Sequence, residues 1–172
     1  MKISYAICVH NEHEYVPNLL SMLKERVSQF DDEEIVIILD RPDDIMKGIF
    51  REYISDNIIV VVHDFKGDFS EHKNYMNSYC SGKYIVNIDA DEIPTPALLE
   101  NLRGIVEFNP LVDVFAVARV NIVSGLTMDH VRKWGWSLTK FHSYTEECVM
   151  DDLSEEYTFL KQFNFIIDEI EI

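Results

Sequence analysis

The chain is poor in basic residues. Fifteen Lys and Arg stand against 31 Asp and Glu, a formal charge of −16 at pH 7, and the isoelectric point is near 4.6. That balance argues against nucleic acid or an anionic membrane as a general partner. Cysteine is scarce: Cys8, Cys80 and Cys148 make an odd count with no Cys-x-x-Cys spacing. Cys8 and Cys80 sit in apolar patterns, as reduced core thiols in a cytosol would. No apolar run approaches the length of a membrane span, and Met1-Lys-Ile-Ser-Tyr reads as strand and not as a signal peptide. A soluble, cytoplasmic chain is therefore expected. Three nucleotide and hydrolase signatures are missing as well. The first strand is not followed by Gly-x-Gly-x-x-Gly, which excludes the dinucleotide fingerprint. Neither a P-loop nor a Gly-x-Ser-x-Gly elbow occurs. There is no internal repeat, linker or low-complexity stretch.

What is present is an alternation of strands and helices. Lys2 to Val9, Glu34 to Leu39, Ile58 to Val62, Tyr84 to Ile88 and Val114 to Val120 are apolar runs of strand length. Continuous runs of this kind suit strands buried on both faces of a parallel sheet. Tyr15, Leu19, Leu23, Val27 and Phe30 recur at helical spacing, with Pro17 in the first turn where proline is tolerated. Ile45, Ile49, Tyr53 and Ile54 mark a shorter helix. Phe69, Met76 and Tyr79 mark a third, opened by Asp68 with Glu71 three residues on. Pro96, Leu98, Leu99, Leu102, Ile105 and Val106 mark a fourth, capped by Thr95. The pattern predicts an α/β fold: a mostly parallel sheet flanked by helices.

The polar clusters follow the strands. His10-Asn-Glu-His-Glu14 follows the first, Asp40-Arg-Pro-Asp-Asp44 the second, His63-Asp-Phe-Lys-Gly-Asp68 the third and Asp89-Ala-Asp-Glu92 the fourth. In a parallel sheet all four fall on the carboxyl edge, where α/β proteins bind ligands. Three carboxylates within Asp89–Glu92 repel one another unless a cation is shared among them, and a hard divalent metal is one resolution. An acidic turn leading into the next helix is the other.

Ala6-Ile-Cys-Val-His-Asn-Glu12, Ile38-Leu-Asp40, His72-Lys-Asn74 and Ile88-Asp-Ala-Asp-Glu92 resemble, in order and spacing, glycosyltransferase family 2 with its GT-A fold. The likeness is nearest to phage-encoded and lipopolysaccharide-core members and runs over roughly residues 2 to 137. The resemblance implies the following roles. His10, Asn11 and Glu12 would wrap the nucleotide, and Asp40 would hydrogen-bond the base. Lys73 and Asn74 would face base or phosphate. Asp89 would contact ribose or sugar and, with Asp91, hold Mn²⁺ or Mg²⁺ on the diphosphate. Partners implied are a nucleoside-diphosphate sugar, UDP-sugar favoured, and a saccharide or other hydroxyl acceptor. Transfer with inversion is the implied chemistry, and no residue is singled out as catalytic base. Structural alternatives accompany these roles: Asp40 could cap the next helix, Lys73 could be a solvated helix residue, and His10 and His13 could be plain surface residues.

After about Ser137 the chain departs from the family pattern, lacking its Trp-x-x-Asp-Tyr-Gln-like stretch and Val-His-Glu. A domain of residues 1–145 followed by an acidic segment, 146–172, is expected. That segment carries nine Asp or Glu against one Lys, so half of the formal −16 lies in its 27 residues. Its Tyr157, Phe159, Leu160, Phe163, Phe165, Ile166, Ile167 and Ile170 are too apolar for disorder, so it should pack on the domain or form a homo-oligomer interface. His142 is the one histidine left after Ser137 to complete a metal site. Trp134 and Trp136 suit either an acceptor platform or plain packing. With an acceptor half this altered, a non-catalytic nucleotide-sugar-binding or interaction module is the alternative. A phosphohydrolase is less favoured, because its Asp-x-Asp belongs on the first strand.

Overall fold

The computed structural model describes residues 2–124 and 165–171. The chain divides into two compact units, Met1–Ile93 and Pro94–Ile172. In the first, strand β1 (Ile3–Val9) leads through helix α1 (Val16–Val27) to β2 (Glu33–Leu39). Helix α2 (Asp44–Tyr53), β3 (Ile58–Val62), α3 (Phe69–Asn77) and β4 (Tyr84–Asp89) follow. The four strands are all parallel and lie in the order β3-β2-β1-β4. Every residue of β2 is buried, and β1 is nearly so. The apolar runs of β3 and β4 hold edge positions instead, and Ile85 and Val62 remain exposed. Of these four strands, the expectation of two-sided burial thus holds for the central pair.

Because side chains alternate along a strand, β1 and β2 each carry two faces. Tyr5 and Glu33 meet on one face, where the Tyr5 hydroxyl donates to Glu33 Oε2 at 2.9 Å and Arg26 of α1 donates to both Glu33 oxygens at 2.9 Å. Arg26 also lies over the Phe30 ring at 4.1 Å. A buried carboxylate is tolerable when its lone pairs are met in this way. Ala6, Val36 and Ile38 occupy the other face and pack against Met76 of α3. Glu34 shares that face. It accepts from Ser4 Oγ at 2.6 Å, from Ser81 N at 2.6 Å and from Lys2 Nζ at 3.0 Å. Burial opposes its ionisation, but these donors prevail and hold its pKa at about 2. The turn into β4 comes so close here that a Cβ at Gly82 would sit 2.6 Å from Ser4 N, which explains the glycine.

Helix phases are set by their caps. Asp43 accepts from Met46 N at 2.8 Å and starts α2, so Met46 and Phe50 turn inward. Ile45, expected on the buried stripe, is exposed for that reason, and Ile54 is exposed because the helix ends at Tyr53 and the backbone turns extended there. Asp68 caps α3 by accepting from Ser70 N and Glu71 N. His72 and Met76 then face the sheet, and Phe69 stays exposed.

β5 (Glu92–Pro94) ends at the start of the second unit. There α4 (Pro96–Phe108) opens on Thr95, whose hydroxyl accepts from Leu98 N at 3.2 Å, with proline in the first turn as expected. Strand β6 (Ala118–Ser124) pairs in parallel with β7 (Phe165–Glu171), Ala118 opposite Phe165. The strand expected at Val114–Val120 therefore starts and ends four residues later. Its limits follow from the reach of β7, not from the apolar run, which begins in exposed, non-strand residues such as Val114. The expected boundary at 145/146, Trp134, Trp136 and His142 lie outside the described residues.

Candidate functional site

Parallel register brings the carboxyl ends of β1, β2, β3 and β4 to one edge, and a cleft of about 440 Å³ opens there. Its lining includes His10 and Glu12 after β1, Asp40 after β2, Phe65 after β3, and Asp89 and Asp91 at the end of β4. Helix α3 adds Phe69, His72 and Lys73. Of the residues expected from the sequence, His10, Glu12, Asp40, Lys73, Asp89 and Asp91 are brought together. Asn11 and Asn74 are not in the lining. Asn11 Oδ1 instead accepts from Asp43 N at 3.2 Å, tying the β1 loop to the β2 loop. Asn74 is exposed on α3.

At one side of the cleft Asp40 anchors three segments. Its Oδ1 accepts from Phe65 N at 2.8 Å and from Arg41 Nε at 2.9 Å, and its Oδ2 accepts from Arg41 Nη2 at 3.0 Å. His10 Nδ1 lies 2.7 Å from the Asp40 carbonyl oxygen. The Arg41 fork is the chief reason that the Asp40 pKa is held at about 2. Burial opposes it, and the Phe65 N–H assists. Arg41 adopts a left-handed backbone with φ 44°, a conformation that costs a non-glycine residue on the order of 1 kcal/mol. The bidentate pair to Asp40 offsets it. Helix capping belongs to Asp43, so Asp40 is left as a carboxylate of the cleft lining, with His10 Nδ1 also 3.6 Å from its Oδ2.

At the other side Lys73 Nζ donates to Asp89 Oδ1 at 2.8 Å. Burial lowers the Lys73 pKa, but the Asp89 partner outweighs it and the net direction is upward. Glu92 is 2% exposed and turns back, its Oε2 accepting from Asp89 N at 2.9 Å. The repulsion expected within Asp89–Glu92 is thus relieved internally by a lysine and a backbone N–H. Among the described residues, no group of three His, Cys, Asp or Glu forms a ready-made metal centre. Asp89 and Asp91 both line the cleft, however. One or two carboxylates completed by phosphate oxygens and water is how Mg²⁺-type ions are commonly held. The donor set fits such an ion when it arrives with a diphosphate. His10 and His13 have other partners: His13 Nε2 lies 2.9 Å from Asp43 Oδ2.

The sequence reading passed over Phe65, Phe69 and His72 as site residues. Phe65 and Phe69 pack with ring centroids 4.5 Å apart and make an aromatic wall. The signal was the place of Phe65 in the polar loop after β3 and of Phe69 at the start of α3, where neither ring serves a buried core. Cys8 lies in the lining near Met76 Sδ, at 3.5 Å, and burial pushes its thiol pKa up.

The chain matches the model of glycosyl transferase family 2 over residues 4–168, past the point near residue 137 where its own motifs stop. No curated protein matches it. Among solved structures, the crystal structure of S. aureus TarS is similar with a TM-score of 0.55 at 17% identity. That likeness covers 75% of this chain but 22% of TarS, so the chain spans about a fifth of that protein's length. At this identity it speaks for the fold alone, a GT-A-type parallel sheet. The family match covers nearly the whole sequence, and its strand-end motifs converge on one cleft. On that basis the chain belongs to glycosyl transferase family 2.

Proposed function

We propose that the cleft binds a nucleoside-diphosphate sugar together with a divalent metal, and that the chain transfers the sugar to a hydroxyl acceptor with inversion. The observation that carries this reading is the division of the cleft. A buried carboxylate acceptor and aromatic rings stand at one side, and a lysine with two acidic residues at the other. Asp40 accepts an N–H of the base, and the wall of Phe65 and Phe69 offers a face for it to stack on. His10 and Glu12 close the nucleotide side, where Glu12 Oε2 already accepts from His10 N at 2.7 Å and shapes the loop. Lys73 turns from Asp89 toward the diphosphate, a compact cation for a phosphate oxygen. Asp91 and Asp89 hold Mg²⁺ or Mn²⁺, which supplies charge stabilisation to the leaving diphosphate. Half-buried, unpaired Cys8 and Cys80 accord with a reducing cytoplasm. Among the described residues no helix is long and apolar enough to cross a membrane.

A second reading is a nucleotide-sugar-binding module without transfer. Titration of the full chain with UDP-sugars, with and without Mn²⁺, separates the two. Metal-dependent binding with release of UDP supports the transferase. Binding without turnover supports the module. Failure to bind any nucleoside-diphosphate sugar refutes both.

A further inference from the structure

His72 is the most deeply buried polar side chain lining the cleft, 5% exposed. Its Nδ1 lies 3.1 Å from Nδ1 of His63, so one proton is shared between the two rings. His63 is in turn stacked on Tyr75, ring centroids 3.8 Å apart. Phe65 presents its ring edge-on to His72 at 5.6 Å, while its backbone N–H holds Asp40. Phe65 therefore bridges His72 and Asp40. With Nδ1 engaged and the ring gripped from two sides, Nε2 is the polar atom His72 has left for a ligand in the cleft.

We infer that His72 is a specificity-determining residue, presenting Nε2–H beside the Asp40 carboxylate so that the cleft selects bases with an N–H next to a carbonyl. Uracil, thymine and guanine have that edge. Set in the same position, cytosine and adenine turn a bare ring nitrogen to the Asp40 carboxylate and an amino group to Nε2–H, so acceptor meets acceptor and donor meets donor. The inference rests on the nucleotide-sugar reading above. The tautomer follows from the surroundings. Asp40 and Glu71 act on His72 with negative charge, and a proton on the ring is preferred to a second lone pair facing a carboxylate. His63 then donates its Nδ1–H to His72 Nδ1, which places the other proton on Nε2. Burial and the neighbouring His63 push the His72 pKa down, so the ring reads the base as a neutral donor. A site built to pair with a polar edge rejects a mismatched one strongly, because its own buried groups are left unpaired.

The test is calorimetric titration of the full chain with UDP, GDP, CDP and ADP in the presence of Mg²⁺. Wild type is expected to bind UDP and GDP at least tenfold more tightly than CDP and ADP. His72→Ala should weaken UDP about tenfold and leave CDP unchanged, collapsing the ratio. His72→Gln, which keeps a side-chain N–H, should restore most of it. His63→Ala alters a residue outside the lining and should lower the ratio severalfold by freeing the tautomer. If His72→Ala does not fold, His72→Gln and His63→Ala decide the matter. UDP binding with a UDP-to-CDP ratio near one in wild type, or a ratio unmoved by His72→Ala or His63→Ala, overturns the His72 assignment alone. Absence of binding by all four nucleotides overturns the nucleotide-sugar reading and this inference with it.

Discussion

Replacing Lys73 by Met tests the division of the cleft with effects of opposite sign. Lys73 Nζ lies 2.8 Å from Asp89 Oδ1, with the two side chains 40% and 46% exposed. Solvent screens such a pair, so its loss should cost the fold no more than about 1 kcal/mol. For a chain of this size that is a fall in melting temperature of at most about 4 °C. Met keeps the apolar stem, so packing is preserved. Nucleotide binding should respond far more. A charged hydrogen bond to a phosphate oxygen contributes about 1.5–3 kcal/mol, so UDP affinity should drop roughly 10- to 150-fold. Uridine, which has no diphosphate, should bind as before. Mn²⁺ alone should bind the variant more tightly, because Asp89 and Asp91 lose the cation that now neutralises them. Calorimetry with UDP, uridine and Mn²⁺ reads all three. UDP affinity within twofold of wild type, or equal losses for UDP and uridine, refutes the placement of Lys73 at the diphosphate.

Asp91→Asn should leave the melting temperature unchanged or slightly raised and abolish the Mn²⁺ dependence of UDP binding. Retained dependence removes Asp91 from the metal site. Glu34 and Asp40 titrate near 2 in the fold, below the ordinary values of about 4.3 and 3.9. Because their folded pKa values are depressed, the stability they contribute is present above about pH 4 and is lost as pH falls from there toward 2. Glu34→Gln should shallow that acid limb in denaturant titrations while lowering stability at pH 7 by on the order of 2 kcal/mol. An unchanged limb shows that Glu34 is not its source. Truncation before Glu146 removes β7, the parallel partner of β6. It should lower thermal stability or solubility, and the mass in solution should change if the segment is an interface. A truncated chain with the same melting temperature, mass and UDP affinity shows that residues 146–172 contribute nothing to fold or assembly.

The parallel sheet and its rim were legible because β-branched runs and helical periods differ in length and spacing, and because the polar clusters followed the runs. Which strands would be central was not, since Ile58–Val62 is as apolar as Glu34–Leu39 and only the pairing order separates them. Helix faces depended on caps: Ile45 and Met46 are neighbours in sequence, and Asp43 decided which turned inward. The Asp89–Glu92 cluster was visible as a charge problem. Its resolution by Lys73, 16 residues away, requires α3 to lie across β1 and β2 so that Lys73 reaches the end of β4, which no local pattern states. His72 stood within a motif already recognised, but its burial and its pairing with His63 come from the packing of α3 on β1 and β2, beside the residue that follows β3.

The strand order has a consequence for how the chain assembles in time. β1 is made first, gains β2 as a neighbour some 30 residues later, and must wait for β4, whose Tyr84 lies opposite Ile3, to fill its other side. Between the end of β2 at Leu39 and the end of β4 at Asp89, a ribosome adding about 5–20 residues per second needs roughly 3–10 s. Over that interval the nascent sheet has an open apolar edge at its eventual centre and half a rim. Contacts of such long sequence separation are also slow to form in a released chain. Pulse-labelled hydrogen exchange during refolding would show it as late protection of the β1 amides that face β4, behind those that face β2.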